Sequence, residues 1–454
     1  MKIVIVGAGE VGFHTASRLA MESKDVVVVD TDPKSLKRVS EHLDVAVVEG
    51  SGASPQVLAE AGVESAEILL AVTDSDEINL VSCLFTDLMS PATKKLIRIR
   101  DADYTDFAAK LRENPPHIDT IINPELEMSR FIVRLLEEPG AEDVAVFGGG
   151  RVRLVGVRVA PLSRLAGVRM KDLLANTGGR KLLIAAIVRE EKLIIPSGRD
   201  TILQNDLVYF LAPAEDGFQP MELFGRSTRV IRRVLIVGGG RAGLRLSREI
   251  SGLGLHVKLV EKDPQRCSFL AEALDKVVVL SGDGSDQELL TEENVADQDV
   301  VVTLTGDEET NILASLLVKR MGVAKAITRI DKFHYFPLMQ AIGIEHVVSA
   351  RMAAINSILQ HVRRGKVISS VTLKGESGEV MEVVALETSG LVGKPIRDLS
   401  FPKGALIIAI LRDGRVIVPT GDSVIEPRDR VVIIATSQAV PLVERALSVR
   451  LEYF

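Results

Sequence analysis

Apolar and polar positions along the chain follow two rhythms, and each rhythm occurs twice. In the first, a short β-branched run is followed by a glycine cluster and then an amphipathic stretch. Ile3-Val4-Ile5-Val6 leads into Gly7-Ala8-Gly9-Glu10-Val11-Gly12 and an amphipathic segment over residues 13–20. Val234-Leu235-Ile236-Val237 leads into Gly238-Gly239-Gly240-Arg241-Ala242-Gly243 and a similar segment over residues 244–250. Unbroken apolar runs of this length suit strands buried on both faces of a parallel sheet, and the amphipathic stretches suit the helices that cover it. Four more such runs follow in each copy, at residues 25–30, 45–48, 68–72 and 95–99 and at residues 256–261, 277–280, 300–304 and 326–330. Each is followed by a helical pattern, as a doubly wound sheet requires.

The second rhythm begins where Pro115-Pro116 and Asn123-Pro124 break the first. A helix is expected near residues 125–137, closed by Pro139-Gly140. Short alternating strands follow at residues 152–159, 182–188, 192–195 and 207–212, with counterparts at 380–386, 405–411, 415–418 and 430–435. Turn signatures recur with them: Leu165-Ala166-Gly167 matches Leu391-Val392-Gly393, and Pro196-Ser197-Gly198 matches Pro419-Thr420-Gly421. The expected class is therefore α/β: two tandem copies of a doubly wound parallel, Rossmann-like sheet, each followed by a small α+β domain. The expected boundaries are 1–123 and 232–349 for the parallel sheets and 141–225 and 368–452 for the small domains, with a basic, turn-rich hinge near residues 225–233.

The glycine clusters carry the candidate chemistry. In G-x-G-x-x-G the first glycine permits the tight turn, the second admits a pyrophosphate to the backbone, and the third lets helix and strand pack closely. Free N–H groups and the helix dipole then face the phosphates. An acid ends the second strand of each copy, Asp30 and Glu261, where a carboxylate can accept from a ribose hydroxyl. The first candidate site is thus Gly7, Ala8, Gly9, Glu10 and Val11 for the pyrophosphate and Asp30 for the ribose. With Asp32 nearby, Asp30 would repel a 2′-phosphate, which favours NAD(H) over NADP(H). The bland alternative is a glycine turn in a domain that no longer holds a nucleotide.

Composition narrows the field. At 454 residues the chain needs several cores, and no apolar run approaches the ~18 residues that span a bilayer. Met1-Lys2 leads directly into the first strand, so no signal peptide is expected. Net charge is −7, against a general nucleic-acid binder. The two cysteines, Cys83 and Cys267, lack partners for a disulfide or a metal site and are expected in the core. The seven histidines are scattered, no nucleophile pair or Walker sequence is present, and no catalytic or metal-binding residue is assigned. Residues 361–366 form a basic patch, read as a solvated helix end or as a contact with a membrane partner or with anionic headgroups.

Two parallel-sheet modules with G-x-G-x-x-G, an acid ending the second strand, a Thr-x-x-Asp/Glu-x-x-Asn turn after the fourth strand and a small β-rich domain after each resemble tandem regulator-of-potassium-conductance domains. The resemblance covers essentially the whole chain. It implies a peripheral subunit on the cytoplasmic face of the membrane, forming a nucleotide-gated ring that docks on a separate potassium-transporting membrane subunit. It implies a homotetramer with eight parallel-sheet modules. It also implies that the turn Thr73-Asp74 touches the nucleotide, although a helix cap explains the same residues. Arg98 can reach a phosphate or ribose from the end of the fifth strand, or can be a surface arginine in a salt bridge. The matching second-site residues are Gly238, Gly239, Gly240, Arg241, Ala242, Gly243, Glu261, Asp283, Thr305, Gly306 and Arg329. Glu10 in the first loop would disfavour extra phosphate charge and Arg241 in the second would tolerate it. NAD(H) is therefore expected at the first site, with ATP or ADP open at the second. The competing class is an NAD-dependent oxidoreductase, but a dehydrogenase normally pairs one cofactor domain with one distinct substrate domain, and this chain repeats both.

Overall fold

The computed structural model describes the chain apart from residues 102–103, 105–106, 180–181, 191, 212–219, 227–228, 363–366, 374–377 and 448–454. The last residue of the strand expected at 207–212, part of the expected hinge and most of the 361–366 basic patch lie outside the described residues.

Like modules group with like. One compact unit comprises residues 1–133 and 232–362, which hold both parallel sheets, and the other comprises 134–231 and 363–454, which hold both antiparallel sheets. In the first unit the leading module has strands β1 (Lys2–Val6), β2 (Asp25–Asp30), β3 (Ala46–Glu49), β4 (Ile68–Ala71), β5 (Lys94–Arg98) and β6 (Thr120–Ile122). Its helices are α1 (Glu10–Met21), α2 (Pro33–His42), α3 (Pro55–Glu60), α4 (Asp76–Met89), α5 (Ala108–Glu113) and α6 (Pro124–Glu137). The sheet runs β3-β2-β1-β4-β5-β6, and its strand order reverses between β1 and β4, where ligands of such sheets bind. The sixth strand, only three residues long, is an addition to the five expected.

In the antiparallel unit, β7 (Asp143–Phe147), β8 (Val152–Arg158), α7 (Leu173–Asn176), β9 (Leu183–Arg189), β10 (Lys192–Ile194) and β11 (Leu207–Leu211) come first. They form a sheet of order β10-β9-β11-β8-β7. The second parallel module repeats the first with β12 (Arg233–Val237), α8 (Arg241–Gly252), β13 (His256–Glu261), α9 (Pro264–Ala273), β14 (Val277–Ser281), α10 (Gln287–Glu292), β15 (Val300–Thr303), α11 (Glu308–Arg320), β16 (Lys325–Arg329), α12 (Phe336–Ala341), β17 (His346–Val348) and α13 (Ala350–Val362). Its order is β14-β13-β12-β15-β16-β17. The second antiparallel sheet, β18 (Val367–Thr372), β19 (Gly378–Val384), β20 (Ala405–Arg412), β21 (Arg415–Ile417) and β22 (Arg430–Thr436), runs β18-β19-β22-β20-β21, and α14 (Val440–Leu447) follows it. Strands β7 and β18, each an outer strand of its sheet, are further additions to the expected elements. Phe147, Leu154 and Tyr209 of one antiparallel sheet and Val380, Ile408 and Val432 of the other share a single core.

Local chemistry explains the helix starts. Asp32 and Asp263 each cap a helix that opens with proline, and each accepts from two amides of the first turn. Cys83 lies in the core, where burial pushes its thiol up to about 12. Cys267 departs from expectation: it is only half-buried, and its Sγ donates to Glu261 O at 3.2 Å, because helix α9 presents it to the end of β13 rather than inward.

The two parallel modules are not independent. Helix α13, at the end of the second module, packs into the first: Ala354, Ile355, Ile358, Leu359 and Val362 share a core with Ile3, Ile5, Val28 and Leu70. Lys94 Nζ donates to His361 O at 2.9 Å, and the rings of His14 and Phe333 meet edge-on at 4.3 Å. In return, Ser129 Oγ on α6 donates to Glu249 of the second module at 2.8 Å. Ile358 is wholly buried. Truncating it to alanine should cost about 2–5 kcal/mol. In hydrogen exchange the loss should appear in β1 and β4 of the first module. Loss of protection confined to the second module would show that α13 belongs to its own sheet.

Candidate nucleotide sites

The three glycines of each loop meet three different constraints. Gly7 and Gly238 have φ of +112° and +104°, a region that L side chains rarely adopt. A Cβ on Gly12 would sit 1.8 Å from Gly7 O, and on Gly243 1.9 Å from Gly238 O, so the helix can approach the loop only without a side chain there. At Gly9 and Gly240 a Cβ would meet no protein atom within 4 Å. Neither packing nor backbone angle demands glycine at that place, and what glycine provides there is a bare backbone facing open space.

The helix starts agree. Gly9 and Gly240 are the N-caps of α1 and α8 and supply no capping side chain. The first N–H groups of these helices, from Glu10 and Val11 and from Arg241 and Ala242, therefore keep the character of an anion site. Helix α4, in contrast, is capped by Ser75, whose Oγ accepts from Ile78 N at 3.2 Å, and α11 by Asp307. Thr73 and Asp74 are thus not the cap that their sequence equally allowed.

The strand-end acids hold the loops. Asp30 accepts from Ala8 N at 2.6 Å and from Asp32 N at 2.9 Å. Glu261 accepts from Gly239 N at 2.7 Å and from Asp263 N at 3.0 Å. The amides of Ala8 and Gly239, expected to face the pyrophosphate, are turned onto these carboxylates, which places each acid at the rim of its loop.

The turn after the fourth strand is organised by a residue that the sequence reading left unassigned. Asn79 Oδ1 accepts from Thr73 N at 2.9 Å and from Thr73 Oγ1 at 2.7 Å, while its Nδ2 donates to Thr73 O and to Arg98 O. Asn311 makes the same four contacts with Thr305 and Arg329. The recurrence of Asn in both copies was the available signal. Arg98 is buried, which lowers its pKa, with Arg100 acting in the same direction. Its Nη1 lies 3.2 Å from Asp74, which also pairs with Arg100. Arg98 is therefore no surface arginine, although it does carry the salt bridge. In the second module Gly306 replaces Asp74, and Arg329 turns instead to Asp331 at 2.7 Å. Asp283 closes a tight turn on Ser285, whose hydroxyl and amide hold its pKa below the ordinary value.

Glu10 is not a bare negative charge. Arg38 of α2 reaches it at 2.6 Å and His14 at 3.3 Å. Burial works against the Glu10 carboxylate, but the Arg38 hydrogen bond and charge, with smaller help from His14 and Arg351, carry its pKa below the ordinary 4.5. Nor is Arg241 alone at its loop, since Arg266 Nε donates to Gly239 O at 2.8 Å. Among the described residues no cluster of three or more His, Cys, Asp or Glu could hold a metal ion, and no helix is long and apolar enough to cross a membrane.

Fold and loops together define a tandem Rossmann-type protein in which both glycine loops keep an uncapped helix start and an acid at the rim. Comparison with known proteins identifies the family. The TrkA-N domain matches residues 3–124 and 234–350, and the TrkA-C domain matches residues 154–218 and 380–448. The Trk system potassium uptake protein TrkA of Azorhizobium caulinodans is 37% identical over the full length of both chains, and that of Halomonas elongata is also 37% identical over both full lengths. TrkA homolog 1 of Methanosarcina mazei is 37% identical over 98% of this chain and 99% of its own. Two solved structures share the fold: the GsuK channel bound to NAD, at 17% identity and TM-score 0.60 over 98% of this chain and 78% of that one, and the GsuK RCK domain, at 18% and 0.59 over 98% and 94%. The chain belongs to the TrkA family of Trk-system potassium uptake proteins, which are transport proteins and not enzymes.

The glycine geometry separates two kinds of substitution. Gly12→Ala should lower the melting temperature clearly, since its Cβ collides with the Gly7 carbonyl. Gly9→Ala should leave the melting temperature within a degree or two, as expected of a site without packing demands. Equal losses in the two variants by calorimetry would mean that the second glycine also serves packing.

Proposed function

We propose that this protein is a peripheral regulatory subunit of a potassium-uptake system, which binds NAD(H) at the first glycine loop and gates a separate, TrkH-like potassium-transporting membrane subunit. The observation that carries this reading is the open backbone at Gly9, with the uncapped start of α1 on one side and Asp30 on the other. Family membership supports the transport role, and the fold shared with the GsuK channel bound to NAD supports the ligand class. The second loop, with Arg241 and Arg266 beside it, is the better match for ATP or ADP.

In this reading the protein works from the cytoplasmic face of the membrane as a homo-oligomer, a tetramer by analogy with its family. A nucleotide shifts the assembly between two states by its differential affinity for them. An NAD-dependent oxidoreductase is disfavoured, because the parallel module and the antiparallel sheet each occur twice, where a dehydrogenase normally pairs one cofactor domain with one distinct substrate domain.

The test is titration of the purified protein with NADH. Asp30→Ala should weaken binding by about 1–3 kcal/mol, the effect of leaving polar groups unpaired. Unchanged affinity would leave Asp30 as a loop tether only. Binding with no consumption of NADH in the presence of carbonyl compounds supports the regulator, and steady turnover would establish the enzyme.

A further inference from the structure

Both glycine loops receive a guanidinium from the following helix, but from different positions. In the first module it is Arg38, whose Nη1 lies 2.6 Å from Glu10 Oε1 and whose carbon centre stands 4.0 Å over the Phe13 ring. In the second module the residue at the place of Arg38 is Phe269, and Arg266, one turn earlier on α9, takes over. Arg266 stacks on Phe269 at 4.5 Å and donates to the Gly239 carbonyl. Two different helix positions thus bring a guanidinium to the loops, to the side chain of the first α1 residue in one module and to a loop carbonyl two positions earlier in the other.

We propose that Arg38 is a phosphate-contacting, specificity-determining residue of the first nucleotide site, and that Glu10 sets its strength by competing for it. This rests on the reading of that loop as a nucleotide site. Glu10 is the first residue of α1, directly after Gly9, so its partner is held at the helix start where phosphate would arrive. A guanidinium fork matches phosphate oxygens as well as it matches a carboxylate. The Arg38 side chain is 44% exposed, with its aromatic support fixing its direction, so it can exchange one acceptor for another without leaving the loop. Beside the rim acid that each loop carries, the first loop therefore presents a cation paired with an anion, and the second presents Arg241 and Arg266. A diphosphate of modest charge, as in NAD(H), suits the first. A triphosphate must displace Glu10 from Arg38 against the repulsion of that carboxylate. Glu10 thus acts as a brake on ATP, and Arg38 as the contact that any phosphate group gains.

The experiment uses the full-length protein carrying Gly240→Val, which blocks the second loop at a position with open space around it. NADH and ATP are titrated calorimetrically against this parent, against added Glu10→Gln and Arg38→Gln, and against the pair of changes together. Glu10→Gln should raise ATP affinity about tenfold relative to NADH, and Arg38→Gln should lower ATP affinity at least tenfold. Arg38→Lys should recover part of that loss, as the charge returns without the fork. In the double variant the gain from Glu10→Gln should vanish. Unchanged ATP-to-NADH ratios in both single variants, or a gain that survives removal of Arg38, would overturn the proposal. Absence of any nucleotide binding to the parent, with unaltered binding to the protein lacking Gly240→Val, would overturn the reading of the first loop itself.

Discussion

The fold of the first unit depends on one packing event. Helix α13, from the second module, completes the apolar face of the first sheet through Ala354, Ile355, Ile358, Leu359 and Val362. Each large aliphatic among these stabilises by roughly 1.5–3 kcal/mol when buried. The first module obtains this from residues more than 200 positions away in sequence, so its stability and that of the second are linked. Both glycine loops consequently sit on one body, in which α13 packs against α1, the helix that starts at the first loop.

Within that body the two loops share a backbone and differ in charge. The backbone is dictated by Gly7, Gly12 and the rim acid, all matched in the second module. The charge is carried by side chains that the scaffold leaves free to vary: Glu10 with Arg38 in one loop, Arg241 with Arg266 in the other. Asp74, beside Arg98 and Arg100, adds a second difference, since Gly306 replaces it and Arg329 turns to Asp331. A duplicated scaffold with diverged charge suits two ligands better than one.

Much of this was legible in the sequence. The glycine repeat, the acids ending β2 and β13, and the succession of five strands and helices in each parallel module follow from periods and spacing that local chemistry enforces. The short strands β6 and β17 escaped because three residues carry no period. Strand β7 escaped because it sits directly behind the Pro139-Gly140 break, which reads as a loop. The exchange of α13 was invisible for a deeper reason: periodicity shows which face of a helix is apolar, not which sheet it meets. Arg38 was missed because its partner Glu10 lies 28 residues away and the second copy has Phe269 in its place. Asn79 could have been found, since Asn311 repeats it.

The central claim, that two nucleotide sites share one body, is tested most directly by a pair of titrations on the wild-type assembly. NADH binding is measured with and without saturating ATP, and ATP binding with and without saturating NADH. Linkage requires each ligand to change the affinity of the other by the same factor, and a coupling of about 1–3 kcal/mol is typical of such systems. Equal and reciprocal shifts are the predicted result. Affinities that are independent of the other ligand, in an assembly that binds both, would contradict the account.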